Sequence, residues 1–119
     1  MNFKNDLPIY MQIMDIIKIQ IVNGEFKPGE KLLSVREEAS QLKVNPNTVQ
    51  RAYQELENEG LVETRRGMGT FIKDEENLIS DLRKDLAKKT VSEFIFAIKQ
   101  LGLSREEIMS LIEDELNRG

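Results

Sequence analysis

Apolar residues early in the chain recur at helical spacing: Ile9, Ile13, Ile16, Ile17 and Ile21 fall on one stripe of a helix. Pro8 suits the first position of that helix, where a missing N–H costs nothing. Asp6 lies near enough to cap it, and Gly24 follows as a stop able to take positive φ. Beyond the turn Lys27-Pro28-Gly29-Glu30, the run Ser34-Val35-Arg36-Glu37 spells a capping box and predicts a second helix to about Leu42. Asn45-Pro46 joins a capping side chain to a first-turn proline, so a third helix starts about three residues later and must cross the second steeply. Val49, Ala52, Tyr53 and Leu56 form its buried side, and Gly60 ends it. Leu61 to Arg65 and Thr70 to Ile72 read as short strands around an Arg66-Gly67-Met68-Gly69 hairpin turn.

The pattern then changes. From about Glu75 to Leu101 apolar residues keep helical spacing without interruption, which predicts one helix of roughly 40 Å. Gly102 breaks it, and a second capping box, Ser104 to Glu107, opens a last helix with Ile108, Leu111, Ile112 and Leu116 inward. Two paired helices cover one side of each other, yet Phe94, Ile95, Phe96 and Ile98 spread apolar surface around much of the circumference. A second copy of the chain is the simplest cover. The expected fold is mostly α with a small β-hairpin (α+β): a winged helix-turn-helix over residues 1–73 and a two-helix C-terminal dimerisation arm over 74–119. Homodimer contacts are expected at Leu82, Leu86, Val91, Phe94, Ile95, Ile98 and Leu101 of the long helix and at Ile108, Leu111 and Ile112 of the last.

Composition removes most chemistry. The 119 residues include no Cys and no His, so thiolate or imidazole catalysis, disulfides and Cys/His metal sites are excluded. The carboxylates of the last two helices are scattered surface charges, so no enzyme, cofactor or metal is expected. The longest apolar run is the five residues from Phe94 to Ile98, against about 20 for a membrane span, and the N-terminus lacks a signal-like apolar segment. A cytoplasmic protein with no membrane contact is expected. The 46-residue tail is too small to enclose a pocket of about 300 Å³ within one chain, so the sequence names no effector ligand.

The exposed side of the third helix carries Asn45, Asn47, Thr48, Gln50, Arg51 and Gln54 where a Glu/Lys mixture is usual. Asn and Gln can bond adenine edges bidentately, Arg can bond guanine, and Thr can reach a phosphate or a thymine methyl. Arg36 near the start of the second helix, beside its cap Ser34, and Arg65 and Arg66 at the hairpin could reach the DNA backbone. Plainer roles remain open, as solvated surface groups or as edge charges that deter aggregation. Residues 1–73 hold 10 basic and 10 acidic side chains and the sequence pI is about 5.0, so any DNA-binding field is local. A protein-binding adaptor working through the helical arm is the main rival.

The stretches Leu33-Ser34-Val35-Arg36-Glu37-Glu38-Ala39, Val44-Asn45-Pro46-Asn47-Thr48-Val49-Gln50-Arg51-Ala52-Tyr53 and Arg65-Arg66-Gly67-Met68-Gly69-Thr70-Phe71 closely resemble the GntR family of bacterial transcription regulators. The short tail is similar to its YtrA-type branch. The resemblance implies a dimeric repressor on double-stranded DNA with a two-fold symmetric operator. It implies DNA contacts at Arg36, at Asn45, Asn47, Thr48, Gln50 and Arg51, and around Gly67 and Gly69. Pro46 and Gln50 depart from residues common in the family, and Leu33 stands where proline is frequent.

Overall fold

The computed structural model describes Phe3 and residues 6–119. In chain order it contains α1 (Ile9–Val22), α2 (Val35–Leu42), α3 (Pro46–Asn58), the strands β1 (Val62–Arg65) and β2 (Gly69–Ile72), α4 (Leu78–Lys99) and α5 (Arg105–Arg118). The chain forms two compact units, Met1–Arg83 and Lys84–Gly119, so the first residues of α4 go with the first unit.

Within the first unit α1 and α2 both pack on α3, and β1 lies against the same helix. Ile13, Ile17, Ile21, Val49, Leu56, Val62 and Ile72 are fully buried there. Each such aliphatic side chain contributes about 1.5–3 kcal/mol relative to exposure. The buried stripe of α1 is rotated from the expected one, because Met14 joins Ile13, Ile17 and Ile21 while Ile16 is half-buried and Ile9 is exposed. Asp6 does not cap the helix. Pro8 occupies the cap position with no side-chain bond.

The hairpin is antiparallel, pairing Val62 with Ile72 and Arg65 with Gly69, around the three-residue turn Arg66–Met68. Gly69 therefore belongs to β2 instead of the turn, and Leu61 lies before β1, its N–H donating to the Leu56 carbonyl at 3.0 Å. The Met68 N–H donates to the Arg65 carbonyl at 2.9 Å, and Gly67 at φ 74 supplies the positive torsion a type II turn needs. A third extended segment, not expected from the sequence, lies along β2. The Leu32 N–H donates to the Thr70 carbonyl and the Ile72 N–H to the Glu30 carbonyl, both at 2.8 Å.

The long helix starts three residues later than its apolar spacing suggests. Asn77 has φ 71, a left-handed torsion that no α-helix accommodates, and its carbonyl accepts the Asp81 N–H at 2.9 Å. The 22 residues of α4 then span about 33 Å. Ser104 caps α5 through the expected box, accepting the Glu107 N–H at 3.1 Å while Glu107 accepts the Ser104 N–H at 2.9 Å.

Candidate nucleic-acid interface

A three-residue turn connects α2 to α3. Lys43 takes left-handed torsions (φ 57, ψ 48), reversing the chain directly behind α2, and the Val44 N–H returns to the Ala39 carbonyl at 3.1 Å. Asn45 then accepts the Asn47 N–H at 2.8 Å, and Pro46 fills the first helical position. At the far side of α2, Ser34 and Glu37 exchange both bonds of a capping box. Those bonds hold the Glu37 carboxyl below the usual carboxylate range. Tyr53 of α3 ties this corner together, its hydroxyl donating to the Leu33 carbonyl at 2.8 Å.

With Val49, Ala52, Tyr53 and Leu56 facing inward, helical geometry leaves Asn47, Arg51, Gln54 and Asn58 on the opposite side at i, i+4, i+7 and i+11, flanked by Gln50. All five are exposed, and Thr48 is half-buried. No carboxylate occurs from Pro46 to Gln54. Toward the other end of α3, Glu57 accepts the Thr64 N–H at 2.9 Å and Glu59 pairs with Lys18 at 2.8 Å, while Glu55 lies one turn beyond Arg51. The N-terminal half of α3 thus presents hydrogen-bonding groups and one cation to solvent, with no carboxylate of its own before Glu55.

Arg51 is not a loose side chain. Its guanidinium stacks 3.9 Å from the ring centroid of Tyr10 on α1, and one Nη donates to the Tyr10 hydroxyl at 3.3 Å. Arg65 is held within the hairpin, over the Phe71 ring at 4.3 Å and paired with Glu63 at 2.8 Å. Arg66 makes no ion pair among the described residues and lies exposed at the turn, as do Ser34 and Arg36 at the start of α2. Gly69 is required by its φ of 119, and the exposed Lys31 side chain lies close over it.

Tyr10 and Lys31 were not singled out from the sequence. Tyr10 meets Arg51 across 41 residues, a separation that periodicity does not register. For Lys31 a faint signal existed, since Leu32 beside it is buried in the alternating manner of a strand.

In the second unit, Phe96 and Leu101 are each 72% exposed and Phe94 41%, with Val91 and Leu111 also exposed. Leu86, Ile95, Ile98 and Ile112 are half-buried. Leu82 of the first unit and Ile108 of the second are buried within the single chain. Between α4 and α5 lies an open cleft of about 460 Å³ lined by Ile95, Lys99, Leu103, Arg105, Ile108, Met109 and Ile112. The two helices bound it without closing it. No helix among the described residues is long and apolar enough to cross a membrane.

Comparison with known proteins agrees with this geometry. Residues 9–72 match the gntR family of bacterial regulatory proteins. The chain is 47% identical over 111 residues to the HTH-type transcriptional regulator YhcF of Bacillus subtilis, covering 93% of this chain and 92% of that protein. It is 37% identical to the HTH-type transcriptional repressor YtrA of the same organism, with 93% and 86% coverage. A GntR family transcriptional regulator from Listeria monocytogenes superposes with a TM-score of 0.86 at 41% identity, over 94% of this chain and 98% of that one. The DNA-binding domain of AraR, solved in complex with operator ORX1, has a TM-score of 0.54 at 32% identity, over 56% of this chain and 80% of that one. A winged helix-turn-helix whose family match spans more than half its length, with such relatives on either side, is no enzyme: the chain belongs to the GntR family and is a DNA-binding transcriptional regulator.

Proposed function

We propose that this regulator is a cytoplasmic repressor that binds a two-fold symmetric operator as a homodimer, with residues 1–73 as the DNA-binding domain and 74–119 as the dimerisation arm. The observation that carries this reading is the outward stripe of α3, where Asn47, Gln50, Arg51 and Gln54 lie exposed with no carboxylate among them. In a symmetric pair, two such helices would enter successive major grooves about 34 Å apart. Asn45, Asn47, Thr48 and Gln50 would contact base edges and flanking phosphates, while Ser34 and Arg36 at the start of α2 and Arg65, Arg66, Gly67 and Gly69 of the wing would meet the backbone. The exposed apolar side of α4 and α5, with Phe94, Phe96, Leu101 and Leu111, would be the surface shared between copies. Repression is supported by the likeness to YtrA, an HTH-type transcriptional repressor.

A mobility-shift titration followed by footprinting tests the reading. Wild-type protein should protect a palindromic site, and Gln50→Ala should lose about 1–3 kcal/mol on that site and relax base preference at one position per half-site. Unchanged affinity and unchanged protection with Gln50→Ala, Asn47→Ala and Arg66→Ala alike would remove α3 and the wing from the interface.

A further inference from the structure

The stacked pair of Tyr10 and Arg51 joins a side chain of α1 to a group on the outward side of α3. Arg51 donates to the phenolic oxygen, so that oxygen acts as acceptor in this contact and the hydroxyl proton is left to donate elsewhere. Among the described residues neither group has an ion-pair partner, and both side chains remain accessible, Arg51 exposed and Tyr10 half-buried. Two hydrogen-bond donors of different kinds, one cationic and one neutral, therefore lie within a few ångströms on a surface free of carboxylates from Pro46 to Gln54.

We propose that Tyr10 and Arg51 together form a phosphate-gripping site that joins α1 to the recognition helix. Arg51 is then a backbone contact, not a base reader, and Tyr10 is both a second donor to the phosphate and the positioning residue that holds the guanidinium plane. The ligand is a phosphodiester of duplex DNA. The proposal rests on α3 being the DNA-facing helix and goes further by bringing α1 into the interface. Its physical basis is preorganisation. A free Arg side chain loses much rotamer freedom on binding, whereas one already stacked on an aromatic face and hydrogen-bonded to it loses little. A guanidinium on a ring is also weakly hydrated, so a phosphate displaces less bound water from it than from an ammonium. The fixed point of contact would set the depth and tilt at which Asn47 and Gln50 meet the base edges.

The test compares affinity and salt dependence on two probes, a duplex selected from random DNA by the wild-type protein and a scrambled duplex of equal length. Arg51→Ala should weaken both to the same degree and flatten the slope of log affinity against log salt by about 0.9, the loss of one phosphate contact. Tyr10→Phe keeps the ring and its stacking, so folding is preserved, and should weaken both probes about threefold with the slope unchanged, since a neutral hydroxyl releases no counterion. Tyr10→Ala should cost about fivefold or more in the wild-type background and much less once Arg51 is Ala. Equal costs of Tyr10→Ala in both backgrounds would overturn the coupling. Loss of base preference in Arg51→Ala with an intact salt slope would make Arg51 a base reader and overturn the phosphate assignment. If Gln50→Ala weakens binding while Arg51→Ala and Tyr10→Phe do not, the recognition helix stands and the phosphate site falls. Should wild-type protein select no duplex at all, both fall together.

Discussion

Replacing Tyr53 by Phe removes one oxygen from a side chain that is 4% exposed and leaves its ring packing intact. The hydroxyl donates to the Leu33 carbonyl at 2.8 Å and lies 3.5 Å from a Glu38 carboxylate oxygen. One proton serves one acceptor well, and the shorter distance assigns it to Leu33, the residue just before the Ser34 cap. Burial and the nearby Glu38 charge push the phenol far above its usual range, so it stays a donor at any working pH. Without the hydroxyl, the half-buried Leu33 carbonyl loses its partner, and the cost is about 1–2 kcal/mol. For a domain of this size that is a fall in Tm of about 4–8 °C for each kcal/mol. Thermal unfolding followed by circular dichroism, at one protein concentration so that any self-association is held constant, measures it. A Tm within about a degree of wild type would refute the assignment of the Leu33 bond as a structural tie between α2 and α3.

Glu38 adds a pH signature. Burial raises its carboxyl above the ordinary value. A carboxyl whose folded pKa exceeds its unfolded pKa makes the native state the better proton binder between those values, so its contribution to stability declines as pH rises through that window. Glu38→Gln removes it, so the stability difference between Glu38→Gln and wild type should grow with pH above the usual carboxylate range and then level off. A difference that is flat across that range would show that Glu38 is not desolvated in the folded protein.

Ser34→Ala should cost about 1 kcal/mol in a urea titration, through loss of the bond from the Glu37 N–H at 3.1 Å. Glu37 carries the opposite pH sign to Glu38: its bonds with Ser34 lower its pKa, so its contribution is present above the unfolded value and lost as pH falls through the folded one, and NMR titration of Ser34→Ala should find it nearer the ordinary carboxylate value. Gly69→Ala should destabilise the wing by about 1–3 kcal/mol, because φ 119 is closed to residues with a Cβ, and faster amide exchange confined to Val62–Ile72 would register it. Phe94→Glu should convert the proposed dimer to monomer in light scattering, since a charge pressed into an apolar interface costs several kcal/mol. A dimer that persists would move the interface off that side of α4.

What the sequence disclosed was local. Both capping boxes, the Asn45-Pro46 start of α3 and the buried set Val49, Ala52, Tyr53 and Leu56 are written in residues within one or two turns of each other, and each stands where the spacing places it. The misses are of two kinds. One is a torsion: Asn77 adopts φ 71 and delays α4 to Leu78, although the apolar spacing runs on without a break. Asparagine tolerates that torsion in isolation, but nothing beside it announces the choice. The other kind is contact across the fold. The bonds of Leu32 and Glu30 to β2, and the stacking of Arg51 on Tyr10, unite residues about 40 apart, and periodicity records only neighbours. The candidate DNA surface was legible as a set of residue types; the tether on Arg51 was not, because an exposed arginine in a sequence has no visible partner.

A chain of net charge −4 binding a polyanion is a matter of placement. At physiological ionic strength charges are screened beyond about 8 Å, so carboxylates distant from the contact surface weigh little. Three near α3 and the wing are already engaged, Glu57 with the Thr64 N–H, Glu59 with Lys18 and Glu63 with Arg65. Arg36 and Arg66 have no such partner among the described residues, and Arg51 meets only a neutral phenol. If contact is limited to these cations, few counterions are replaced, and the expected nonspecific affinity is low with a salt slope shallow compared with a strongly basic domain. In the proposed interface, discrimination would fall to neutral hydrogen-bonding groups such as Asn47 and Gln50, since base contacts vary with base identity while phosphate contacts do not. A regulator that binds this way would gain little from DNA in general and release nonspecific sites readily, so the proposed interface predicts that the ratio between operator and bulk DNA depends on the planar amides of α3 more than on the total charge of the protein.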